Sequence, residues 1–218
     1  APVMEAPTQG APVVVDEVNG PEADSSEVRT TLRHANEFGF DLYQRLRRTR
    51  GNLVISPASV HLALTMTYAG ARGETATQMG AVLRVGSSSD ELHAAYGSAV
   101  RSWNATTPAT LRLANRIFTD RSVPVEASFV SLTGQRYGAP LERLDFVSAP
   151  DPSRLAINRW AEEHTEERIA NLLPDGSISP LTRMVLANAI YFKGTWTTQF
   201  DPSDTLPERF QTGDSPEP

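Results

Sequence analysis

The residues able to move a proton near neutral pH are four histidines, His34, His61, His93 and His164, and they are scattered along the chain. The richest local combination is Glu162-Glu163-His164 followed by Glu166-Glu167, which would put carboxylates and an imidazole near one helix face. A metal centre there lacks a second ligand pair of recognisable spacing, so the run reads as a solvated helix surface. The chain contains no cysteine, which removes disulfides, thiolate metal sites and a thiol nucleophile. A Gly-x-Ser-x-Gly elbow, a phosphate-cradling loop, a dinucleotide fingerprint, His-Glu-x-x-His and a calcium loop are all absent from the sequence. No constellation does bond-making chemistry, so no enzyme activity, cofactor or metal is expected. Asn104-Ala105-Thr106 fits the glycosylation acceptor pattern and reads as a chance match.

One polar residue sits where chemistry needs a partner. Between Arg183 and Lys193, Val185, Ala187, Ala189 and Tyr191 alternate with Leu186, Asn188, Ile190 and Phe192. Both faces of this strand are apolar, which places it centrally in a sheet and covered on both sides. Asn188 is the exception, and a buried amide must find hydrogen-bond partners.

The elements that would hold such a strand follow from periodicity. Leu32, Ala35, Phe38, Leu42 and Leu46 mark one face of a helix over about 28–49, closed by Gly51-Asn52. Leu53-Val54-Ile55 reads as a short buried strand. Ser56-Pro57 is a cap followed by proline at the first helical position, and the helix from Pro57 to Ala69 is apolar on nearly every side, hence buried. Glu74–Leu83 and Glu91–Trp103 predict two more helices. A strand over Thr110–Thr119, a helix over Val125–Tyr137 and a strand over Leu141–Phe146 come next. Asp151-Pro152 repeats the cap-plus-proline start, and the helix behind it aligns Ile157, Trp160, Ala161 and His164. Leu113-Ala114-Asn115-Arg116-Ile117-Phe118 echoes Leu186-Ala187-Asn188-Ala189-Ile190-Tyr191, as two strands of one sheet with similar surroundings would.

Composition narrows the function classes. The 218 residues are 39% hydrophobic and 21% charged, enough for a sizeable core. The net charge of −6 argues against nucleic acid as a partner. The basic run Arg45, Arg47, Arg48 and Arg50 reads as a cationic helix end. No apolar stretch approaches the roughly 18 residues of a membrane span, so no membrane partner is expected. Residues 1–27 hold four prolines, Pro2, Pro7, Pro12 and Pro21, and several acids, and read as a flexible acidic leader to a domain over 28–218.

Three segments resemble one family. Asn52-Leu53-Val54-Ile55-Ser56-Pro57-Ala58-Ser59-Val60, Gly70-Ala71-Arg72-Gly73-Glu74-Thr75 and Leu186–Trp196 are similar to serpin motifs, in order and at fitting separations; Phe200, Thr205 and Phe210 continue the pattern. The resemblance implies an α+β serpin fold, helices packed on large mixed β-sheets, present as an incomplete N-terminal portion lacking the reactive loop and C-terminal strands. It implies serine-type endopeptidase inhibition by a conformational trap: a protease cleaves a bait loop, which then inserts into the main sheet. It further implies that Ser56, Ser59 and Asn188 form the "shutter" beneath the sheet, that Trp196 is the "breach" where insertion begins, and that the helix Pro152–Glu167 lies across the sheet. The expected partner is a target serine protease met outside the cell. The fragment alone is expected to be inactive and to self-associate through open sheet edges. The alternative is a non-inhibitory serpin with a carrier, chaperone or storage role.

Overall fold

A computed structural model describes residues 21–49, 51–86 and 88–208. Most of the expected leader (1–20), Arg50 and Phe210 lie outside the described residues. The chain runs through α1 (Ser26–Leu46), α2 (Pro57–Gly70), α3 (Gly73–Val82), α4 (Ser89–Asn104), β1 (Thr110–Asp120), α5 (Ala127–Tyr137), β2 (Leu141–Leu144), α6 (Pro150–His164) and β3 (Met184–Lys193). Among these residues no helix is long and apolar enough to cross a membrane.

Helix ends are set by local chemistry. Ser25 caps α1 by accepting from the Val28 amide. At α4, Ser88 and Glu91 satisfy each other's backbone amides in a reciprocal capping box. Gly138 ends α5 with φ of 58°, a left-handed conformation that favours glycine. At Gly39 an added Cβ would stand 2.6 Å from the Cβ of Pro57, so the missing side chain lets α1 meet the start of α2.

The sheet is ordered β2-β1-β3, with β1–β2 parallel and β1–β3 antiparallel. Alternation gives it two unlike faces. On the back, Leu113 and Ile117 join Leu62 and Met66 of α2, Leu92 and Tyr96 of α4 and Tyr137 of α5 in one buried cluster. On the front, Phe118, Ala187 and Ala189 receive Ile157, Trp160 and Ala161 of α6. Trp160 meets Phe118 edge-on at 5.9 Å. Alanines at 187 and 189 keep the strand surface low, so the helix and its indole can sit close.

Several expectations need correction. Leu53-Val54-Ile55 is not a buried strand: it pairs with nothing among the described residues, and Val54 is 95% exposed. A short apolar run becomes a strand only where a neighbour supplies hydrogen bonds. Helix α2 is not buried all round; His61, Leu62, Thr65 and Met66 face the core while Val60 and Thr67 are exposed. Helix α6 begins at Pro150, with Ala149 at the cap and no side-chain cap bond. Asp151 therefore lies inside the first turn and pairs with Arg154 instead of capping. The helix also ends at His164, so Glu166 and Glu167 sit beyond it at positive φ and share no helix face with Glu162. Strand β2 stops at Leu144, and Phe146 is buried in the following turn. Strand β3 is not central: among the described residues it is an edge, with β1 as its one neighbour.

Candidate functional site

The site is built where the two echoed segments meet. In the β1–β3 register Asn115 stands opposite Asn188, Leu113 opposite Ile190 and Ile117 opposite Leu186. Antiparallel pairing of two near-identical sequences makes the asparagine pair a local pivot, with matching apolar residues on either side. The Asn188 amide donates to Asn115 Oδ1 at 2.6 Å, and Asn115 Nδ2 donates to the Tyr137 carbonyl at 3.0 Å. Asn115 is 3% exposed, and Asn188 is half-buried at the edge strand. The demand for a partner at Asn188 is thus met, and the partner is the residue that sequence reasoning missed. The echo held that signal, since it placed both asparagines at the same point of the repeated segment.

Ser56 and Ser59 form a separate pair. Ser56 caps α2, accepting from the Ser59 amide at 3.4 Å, and its hydroxyl donates to Ser59 Oγ at 3.1 Å. Both serines are half-buried. Helix α2 lies against β3, its Leu62 and Met66 belonging to the apolar cluster on which Leu186 and Ile190 pack. No hydrogen bond joins the serines to Asn188 among the described residues, so the three expected shutter residues fall in two separate pairs, Ser56 with Ser59 and Asn188 with Asn115. Trp196 follows β3, is 73% exposed and meets Phe200 edge-on at 5.9 Å.

The histidines divide into two classes. His34 is half-buried and His164 exposed, whereas His61 and His93 are buried and partnered. His61 Nε2 donates to the Leu83 carbonyl at 3.0 Å, which leaves Nδ1 to accept from the Tyr96 hydroxyl. His93 Nδ1 shares a hydrogen bond with the Tyr137 hydroxyl, and its Nε2 has no partner among the described residues. Burial lowers the pKa of His61, against a raising contribution from the Leu83 carbonyl. It lowers His93 to about 4, with Asp90 partly opposing the shift. Burial also raises both tyrosines. This network joins α2, α4 and α5, and all four of its side chains are buried.

Two further polar groups position the sheet. Asp120, at the end of β1, accepts from the hydroxyl and amide of Ser122 and from the amides of Phe146 and Val147. Those bonds, led by the Ser122 hydroxyl, hold its carboxyl down to about 2. Asn104 is engaged on both amide atoms, accepting from the Leu113 amide at 2.7 Å and donating to its carbonyl at 3.3 Å. That fold-back occupies the side chain a glycan would need.

No group of three or more metal-ligating side chains occurs among the described residues. What the arrangement offers is mechanical: an edge strand with an asparagine pair beneath it, carried on a helix that starts at a serine pair.

Known proteins are similar to this chain. The family described as "Serpin (serine protease inhibitor)" matches residues 33–217. Serpin B6 of Macaca fascicularis is 42% identical over 191 residues, covering 85% of this chain and 51% of that protein. The leukocyte elastase inhibitor of Bos taurus is 40% identical over 166 residues, covering 75% and 44%. Ovalbumin from emu (Dromaius novaehollandiae) superposes with a TM-score of 0.76 at 32% identity, covering 81% of this chain and 50% of that one. The chain spans about half the length of the relatives it matches.

Proposed function

The chain belongs to the serpin family, and on that premise we propose that it serves in inhibition of a serine-type endopeptidase by conformational trapping. In this reading a protease met outside the cell attacks a bait loop and forms an acyl-enzyme. The cleaved loop then inserts beside β3. The observation that carries the reading is the edge of β3: ten residues, Met184–Lys193, whose second side is unpaired among the described residues. A strand added there would satisfy that row of backbone groups. The chain itself supplies no catalytic residue, and the bond chemistry belongs to the protease.

In the same reading Asn188 with Asn115, and Ser56 with Ser59, are the shutter. Their bonds hold β3 against β1 and α2 in place until the sheet opens. Trp196, beyond the end of β3, marks the breach where insertion starts. The same unpaired edge makes self-association the expected behaviour of the isolated 218 residues.

The test is an SDS-stable adduct with trypsin or chymotrypsin. The isolated 218 residues are expected to give none, because no described segment stands beside β3 as bait or inserting strand. A version joined to the second half of a matched relative is expected to give one. An adduct with the 218 residues alone overturns the inactivity of the isolated chain; cleavage of the joined version without any adduct overturns the inhibitory reading and favours a non-inhibitory role.

A further inference from the structure

Helix α6 is tied to the segment that follows it more firmly than to the sheet beneath it. Arg154 is the centre of the tie: its side chain is 8% exposed, yet it carries a full charge. Its Nε donates to Asp151 at 2.7 Å, one terminal nitrogen to Asp175 at 2.8 Å and the other to the Leu173 carbonyl at 3.1 Å. One turn on, Asn158 reads the same backbone from both sides. Its Oδ1 accepts from the Leu173 amide at 2.8 Å, while Nδ2 donates to the Leu173 carbonyl at 3.0 Å and to Asn171 Oδ1 at 3.1 Å. Arg154 and Asn158 are four apart and so share one helix face.

The sheet side is different. Among the described residues, α6 meets β1 and β3 through apolar groups: Ile157, Trp160 and Ala161 on Phe118, Ala187 and Ala189. Apart from the turn in which the Pro174 carbonyl accepts from the amide and hydroxyl of Ser177, the hydrogen bonds that residues 171–175 make outside their own segment run to α6; the polar tie from the intervening stretch to a strand is the exposed pair of Glu166 with Arg112 of β1, weak because it is solvated. Apolar contact is non-directional, whereas a buried guanidinium and a buried amide need particular partners. Pulling 171–175 off α6 would leave Asn158 and both terminal nitrogens of Arg154 without those partners, while lifting α6 and 171–175 together from the sheet keeps every one of those bonds.

We propose that α6 and the segment 171–175 form a single mechanical unit, clasped by Arg154 and Asn158, which separates from the front of the sheet as one body. The trailing segment does not peel away first. The assignment does not depend on the inhibitory reading, and the two fail separately.

Amide hydrogen exchange on the 218-residue protein tests it. In the wild-type chain, the amides of 154–160 and the Leu173 amide, which Asn158 holds, are expected to open together with one protection, and exchange at 171–175 is read at Leu173. Arg154→Met combined with Asn158→Leu is expected to speed exchange at 171–175 by about tenfold or more, with 154–160 changing less than threefold, on the scale of losing two or three buried hydrogen bonds. Asp175→Asn, at a side chain 94% exposed, leaves folding intact and is expected to move 171–175 in the same direction by a smaller factor. Segment 171–175 exchanging ten times faster than 154–160 in the wild-type chain would overturn the proposal. So would unchanged exchange at 171–175 in both variants.

Discussion

Behind the sheet, α4 is pinned to α2 and α5 by two buried histidine–tyrosine pairs, whereas in front α6 rests on the strands by apolar contact and sends its directional bonds to the segments on either side of it, from Ser153 to the Asp145 carbonyl and from Arg154 and Asn158 to 171–175. Both faces bury aromatic rings, so burial alone does not separate them. The difference lies in where the hydrogen bonds go. Bonds that cross between elements fix their relative positions, and bonds within a unit leave that unit free to move as a body. The back layer is therefore a frame, and the front layer is a cover attached to it by shape.

The largest effect expected is from the frame. Tyr96→Ala removes a fully buried ring and leaves His61 Nδ1 without its donor, costing about 3–5 kcal/mol in urea unfolding. Trp160→Ala removes comparable volume from the front. If frame and cover differ as described, it speeds exchange in α6 while α4 keeps its protection. Equal loss of protection in α4 from both variants would erase the distinction.

Acid comes next. His93 is held to about 4 in the folded chain against an ordinary value of 6.5, and His61 is lowered too. Below 6.5 the unfolded chain takes up protons that the folded chain refuses, so stability falls as pH drops from about 6.5 to about 4. For His93 the loss is about 3 kcal/mol. His93→Gln should flatten this part of the pH profile. Asp120 adds a separate loss only below about 3.8, as its carboxyl protonates toward about 2. A stability curve that is level from pH 7 to 4 would count against the buried pairs as the frame's fasteners.

The smallest of these effects is at the seam between strands. Asn115→Leu leaves the Asn188 amide and the Tyr137 carbonyl without partners and is expected to cost about 1–3 kcal/mol. Adding Asn188→Leu should recover part of that loss, because no amide is then stranded between β1 and β3. Additive losses in the double variant would mean the two asparagines act independently.

What was legible in the sequence was local. Ser56 before Pro57, the helical spacing of Leu32, Ala35, Phe38, Leu42 and Leu46, and the two-residue alternation around Asn188 each report on a few neighbouring residues, and those elements lie where the patterns put them. The need of Asn188 for a partner was legible for the same reason, since an amide in an apolar run states its own requirement. The partner was not. Asn115 lies 73 residues away, and only the β1–β3 register brings it opposite.

The tertiary structure alone decided the matters that turn on a neighbour. Leu53-Val54-Ile55 has strand composition but no strand to pair with among the described residues. Asp151 has the chemistry of a cap, yet the charge of Arg154 holds it inside the helix. His61 and His93 look isolated in the chain, and become partnered only because α4 carries Tyr96 and His93 on its buried face, between Tyr137 of α5 and His61 of α2. Periodicity reports which side of an element is apolar; it carries no information about which other element will cover that side, because that choice is made by contacts between residues far apart in sequence.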